Sequence, residues 1–177
     1  MKPELIWNRA DCTVRLGDLA VVAAPRHHPP FSCQAFVHEQ DTNLLLGEQT
    51  TLRDPGKPAW YLANILEEAP TSALGSVIIR GQAPVHLLAI IHDIEKNPTC
   101  QQAHITTAYQ NIWHIAQQTG LSTIGMPLLG TVHGKLPVDV ALSLFRSSLE
   151  SHQHDKLQHI WLIWPASQDC RIGALIK

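Results

Sequence analysis

The chain has no C-x-x-C pair, no long apolar run and almost no net charge, and each of these absences excludes something. Its four cysteines (Cys12, Cys33, Cys100, Cys170) are scattered, which argues against a zinc ribbon or a redox dithiol and predicts free, mostly buried thiols. No apolar stretch reaches the roughly 20 residues of a spanning helix, so no membrane span is expected. Met1-Lys2-Pro3-Glu4 lacks the apolar core of a secretory signal, and a cytoplasmic location is the expectation. A formal charge of −2 leaves no basic face for bulk nucleic acid. It does not exclude a nucleotide, because backbone amides hold phosphate without net charge. There is no G-x-S-x-G elbow to suggest a serine hydrolase.

What is present is enough for one domain over all 177 residues. Cys12–Leu16 alternates like a half-buried strand, Gly17-Asp18 punctuates it, and Leu19–Ala24 is a short continuous apolar run expected to be a buried strand. Three prolines make Pro25–Ser32 a loop. Ala35–His38 and Asn43–Gly47 are expected to be short strands, and Pro58 to open a helix through Leu66.

From Gly75 the pattern is cleaner. Ser76–Gly81 and His86–His92 read as strands. Ile105, Ala108, Tyr109, Ile112 and Ala116 recur at the helical interval, and Gly120 ends that helix. Leu121–Met126 is a strand, and Pro137 opens a helix with an apolar stripe at Val138, Ala141, Leu142, Phe145 and Leu149. Ile160–Trp164 is another apolar strand, and Arg171–Ile176 reads as a last edge strand. Apolar strands alternating with amphipathic helices predict an α/β fold, with a mixed, mostly parallel sheet and helices on both faces.

The crossing from Pro127 to Pro137 is glycine-rich. In open α/β sheets ligands sit at the carboxyl ends of strands, against the next helix N-terminus. Gly130 and Gly134 let the backbone come close to a ligand, the helix opening at Pro137 offers its amides and dipole to an anion, and Thr131, His133 and Lys135 are candidate side-chain donors. Gly130-x-x-x-Gly134-Lys135 is one residue short of a Walker A loop, and Leu136 stands where Ser or Thr would hold magnesium. A G-x-G-x-x-G fingerprint is absent.

Ala108-Tyr109-Gln110-Asn111, then Thr123–Thr131, Gly134 and Pro137, resemble the second half of a macrodomain. That family carries an Ala-Tyr-x-Asn helix, a strand ending Phe-Pro, and a Gly-Thr-Gly loop closing on proline. Ile91-His92 and Gly75, Ile78 and Ile79 extend the likeness across residues 75–165, with residues 1–74 divergent. The resemblance implies a three-layer α/β/α fold and ADP-ribose or a related nucleotide as ligand, with its diphosphate against Gly130, Thr131, Val132, His133 and Gly134. It makes Asp11 or Asp18 the candidate adenine contact, Asp18 lying in the better-matching Gly-Asp pair.

The departures bear on chemistry. The family's Asn-Ala-Ala-Asn segment has its nearest counterpart in Val21-Val22-Ala23-Ala24-Pro25, with neither asparagine. Arg26–Pro30 is unlike a glycine-rich loop, and Val132 replaces the last glycine of Gly-Thr-Gly. The resemblance thus implies a binding module without the usual de-ADP-ribosylating activity. A hydrolase with His133 as water-activating group, and a degenerate domain used for protein interaction or oligomerisation, stay open. His27-His28 and His152, His154 and His159 lack zinc-ligand spacing, so neither metal nor cofactor is expected.

Overall fold

The computed structural model describes residues 12–46 and 71–164. The expected helix from Pro58, the edge strand from Arg171 and Asp11 fall outside them. In chain order the described elements are β1 (Thr13–Leu16), β2 (Leu19–Ala24), β3 (Ala35–Asp41), β4 (Val77–Arg80), β5 (Val85–His92), α1 (Gln102–Thr119), β6 (Thr123–Met126), α2 (Val138–Glu150) and β7 (His159–Ile163). The strands form one sheet in the order β1-β2-β7-β6-β3-β5-β4. Its five inner strands are parallel, and β1 and β4 pair antiparallel at the two edges.

Burial explains the sequence pattern. Every residue of β2 is buried, as its unbroken apolar run predicts for a strand covered on both sides. α1 buries Ile105, Ala108, Tyr109, Ile112, Trp113 and Ala116 and ends at Gly120, whose amide returns to the Ala116 carbonyl. α2 buries Ala141, Leu142, Phe145, Ser148 and Leu149. Both helices pack against each other and share one core cluster with Val21, Ala23, Val37, Leu87, Ala89 and Ile91 of the sheet. Tyr109, Trp113 and Phe145 form its aromatic centre, Tyr109 and Trp113 stacking at 5.8 Å between ring centroids. No helix among the described residues is long and apolar enough to cross a membrane.

Two expectations are corrected near the site. β3 does not stop at His38 but continues through Glu39, Gln40 and Asp41, all buried. No strand forms from Asn43: the Asp41 carboxylate accepts the amides of Asn43, Leu45 and Leu46, each at 2.7 Å, and bends the chain into a turn. A run of polar residues reads as loop in sequence, but here it is the inward end of a strand whose side chains are satisfied by backbone donors.

Candidate functional site

The site lies where β2, β3, β6 and β7 end. β6 stops at Met126, and residues 127–137 cross to α2. Two glycines make this loop possible for different reasons. Gly130 has φ +89°, a conformation that favours glycine, and a Cβ there would stand 2.7 Å from the buried Ile105 Cδ1. At Gly134 a Cβ would stand 2.7 Å from the Gly130 carbonyl oxygen, so the constraint is close approach of backbone to backbone. Tyr109 supports the base, its hydroxyl accepting the Leu129 amide at 3.1 Å. Burial pushes that phenol well above the ordinary tyrosine range.

The loop curls around an anion, and that anion belongs to the chain. Glu39 Oε1 accepts the amides of Gly130 at 2.7 Å and Val132 at 3.2 Å, and Oε2 accepts the His133 amide at 3.1 Å. His92 Nε2 lies 2.9 Å from the same Oε2. The carboxylate already accepts three backbone amides, so this histidine nitrogen is placed to donate to it, and Nδ1 lies 3.3 Å from the Thr99 hydroxyl. A buried carboxylate with four donors is compensated for its loss of water.

The expected phosphate ligands are thus together in one loop, but the amides of Gly130, Thr131, Val132 and His133 already have acceptors. The Thr131 amide and hydroxyl both donate to the Leu128 carbonyl, at 3.2 Å and 2.7 Å. Gly134 packs against His92 and Cys100. His133 is exposed, with its ring edge-on to His92 at 5.9 Å between centroids. Asp18 is not brought to the loop. It is exposed in the β1–β2 turn, at the amino-terminal end of β2 and hence at the opposite edge of the parallel strands. β2 lies between β1 and β7, whereas the strand whose end meets the loop is β3, carrying His38-Glu39-Gln40-Asp41. The sequence pattern does not mark Glu39 as a site residue. Its one signal is alternation with the apolar Ala35 and Val37, which sets it on the core face.

Beside the loop is a cleft of about 490 Å³ lined by Pro25–His27 after β2, by Pro127, Leu128, Thr131, Val132, Lys135, Leu136 and Val138, and by Ile163 and Trp164 at the end of β7. Its wall is largely apolar, with Arg26, His27 and Lys135 as the basic side chains and the amino terminus of α2 opening onto it at Val138. Trp164 is buried, and its indole N–H has no acceptor among the described residues. Lys135 has φ +52°, uncommon for a residue with a Cβ. Lys135→Gly is expected to raise stability by under about 1 kcal/mol, the relief of left-handed backbone being partly offset by unfolded-state freedom. Urea unfolding checks this.

Among the described residues no group of three His, Cys, Asp or Glu side chains is placed to hold a metal. Cys12 is buried and Cys33 and Cys100 half-buried; burial pushes the Cys33 thiol up to about 11 and the Cys100 thiol up to about 12, so both stay protonated and inert.

On the other sheet face, His38 Nε2 and His86 Nδ1 are 2.9 Å apart. Burial, then His86, then Arg26, hold the His38 pKa below its ordinary 6.5. The unfolded chain therefore takes up this proton first. The stability contribution is complete above the unfolded value and is lost as pH falls through the folded one. Urea midpoints are expected to decline between about pH 7.5 and about pH 5, and less steeply in His38→Gln.

No family model matches the sequence, and no curated protein matches it either. Solved structures do resemble it. The Oceanobacillus iheyensis macrodomain with ADP superposes with a TM-score of 0.61 at 16% identity, covering 93% of this chain and 91% of that one. A single-residue variant of the same protein with ADPR gives 0.63 at 15% identity, covering 93% of each chain. The macrodomain of Thermus aquaticus DarG gives 0.57 at 17% identity, over 82% of this chain and 97% of that one. The chain therefore has the three-layer α/β/α macrodomain fold.

Proposed function

We propose that the chain is a binding module for ADP-ribose or a related diphosphate-bearing nucleotide, taken into the cleft between the Pro25–His27 segment and the 127–138 crossing, without the usual de-ADP-ribosylating chemistry. The observation that carries this reading is the cleft itself. A volume of about 490 Å³ is in the range of small-molecule sites. Its apolar wall suits a base and ribose, and Arg26 and Lys135 suit phosphate oxygens. The positive end of α2 adds to that attraction. A buried Trp164 donor without an acceptor among the described residues suits a ligand or water oxygen or nitrogen. Structures of the same fold hold ADP or ADPR.

Binding is favoured over hydrolysis by the state of the two carboxylates at the end of β3. Glu39 and Asp41 have both oxygens engaged by backbone amides, so neither is disposed to take a proton from an attacking water. Titration calorimetry with ADP-ribose tests the reading. Micromolar binding is expected in the native protein, weakened about tenfold or more in Lys135→Glu. No heat and no thermal shift at millimolar ADP-ribose would remove this ligand class.

A further inference from the structure

The 130–133 loop has the form of an anion cradle, yet its occupant is a side chain ninety-one residues away in sequence. Three amides and one imidazole N–H converge on the two oxygens of Glu39. This donor set would serve two oxygens of a phosphate equally well, since it supplies hydrogen-bond donors and no selective shape for carbon. Glu39 reaches it from β3, a central strand, and is buried among its partners. An external anion can enter only by displacing a carboxylate that has no solvent-facing position to retreat to. The same loop presents Thr131, Val132 and Lys135 to the cleft.

We infer that Glu39 is the resident anion of this cradle and the specificity determinant of the neighbouring cleft: it shuts ligand phosphates out of the loop amides, so that they are received on the Lys135 side alone. The second half rests on the nucleotide-binding reading, whereas the first does not. In the native chain the loop is held in its curled form before any ligand arrives. The cost of that preorganisation is that the amides contribute nothing to affinity.

The test begins with the native protein. In an amide-resolved NMR titration with inorganic pyrophosphate, the Gly130, Val132 and His133 resonances are expected not to move. Saturable shifts of all three would show the cradle open to external anions and overturn the inference. In Glu39→Ala, inorganic phosphate is expected to move these resonances and to raise the thermal midpoint by about 5 °C at saturation. Glu39→Gln, which keeps the side-chain volume but replaces one acceptor oxygen by a donor, should be destabilised without recovering in phosphate. A folded Glu39→Ala protein with no more response to phosphate than the native chain overturns the inference. If that variant does not fold, the native titration decides alone. ADP-ribose failing to move Lys135 or Trp164 in the native protein would count against the nucleotide reading and leave the pyrophosphate result standing.

Discussion

Glu39→Ala is expected to destabilise the fold by about 3–5 kcal/mol, the cost typical of breaking a buried charged network by removing one partner. The carboxylate is the shared acceptor for Gly130, Val132, His133 and His92. Without it, donors in a buried or half-buried setting lose their only acceptor together, and the loop loses what curls it. Glu39→Gln should cost less, about 2 kcal/mol, because one oxygen remains to accept while the amide group faces other donors. Urea unfolding followed by far-UV circular dichroism measures both. A change of less than about 1 kcal/mol in Glu39→Ala would mean that the carboxylate does not hold the loop. Replacing Gly130 would be a poor way to probe ligand binding. Its positive φ and contact with Ile105 make any side chain there a structural lesion first.

Trp113→Ala should cost a comparable amount, about 3–5 kcal/mol, through loss of apolar contact and a cavity that the helices cannot close. Trp113 is fully enclosed between α1 and α2, with Tyr109 stacked on it, Phe145 edge-on at 6.2 Å, and its indole N–H donating to the Ser148 hydroxyl at 3.2 Å. The effect should reach the site, because the ring that stacks on Trp113 is the one whose hydroxyl holds Leu129 at the base of the loop. Tyr109→Phe separates the two contributions. It keeps the stacking and removes only the acceptor for a buried amide, with an expected cost of about 1–3 kcal/mol. Amide exchange at Leu129 and Gly130 should accelerate in both variants. Faster exchange spread evenly over α1 and α2 in Tyr109→Phe would argue against a local tie between core and loop.

Part of the site is legible in the sequence. The crossing from Pro127 to Pro137 stands out because glycines at 130 and 134, between an apolar strand and an amphipathic helix, mark a place where backbone must pass close to something. Thr131 to Gly134 are gathered there in one loop, as their spacing predicts. Their partner is hardly legible, since the alternation with Ala35 and Val37 sets Glu39 on the core face but says nothing of the loop amides it meets. Being more apolar than β3, the Ala-rich β2 reads in sequence as the strand leading into the site. Strand order decides otherwise: β3 pairs with β5 and β6, and β2 pairs with β7. Asp18 goes with β2 and is left at the far edge of the sheet.

By itself the sequence determined the α/β class, the two helical stripes of α1 and α2, the buried strands β2, β5 and β7, and the loop with its two glycines. Each of these is a local property, set by the period of apolar residues or by backbone freedom at one position. Only the tertiary structure decided that Glu39-Gln40-Asp41 ends a central strand, that Glu39 fills the loop, and that the cleft borders Pro25–His27 and Trp164. The reason is physical. A buried carboxylate is tolerated only where several donors from distant segments converge, and that convergence exists nowhere until the sheet has put β3, β5 and β6 side by side.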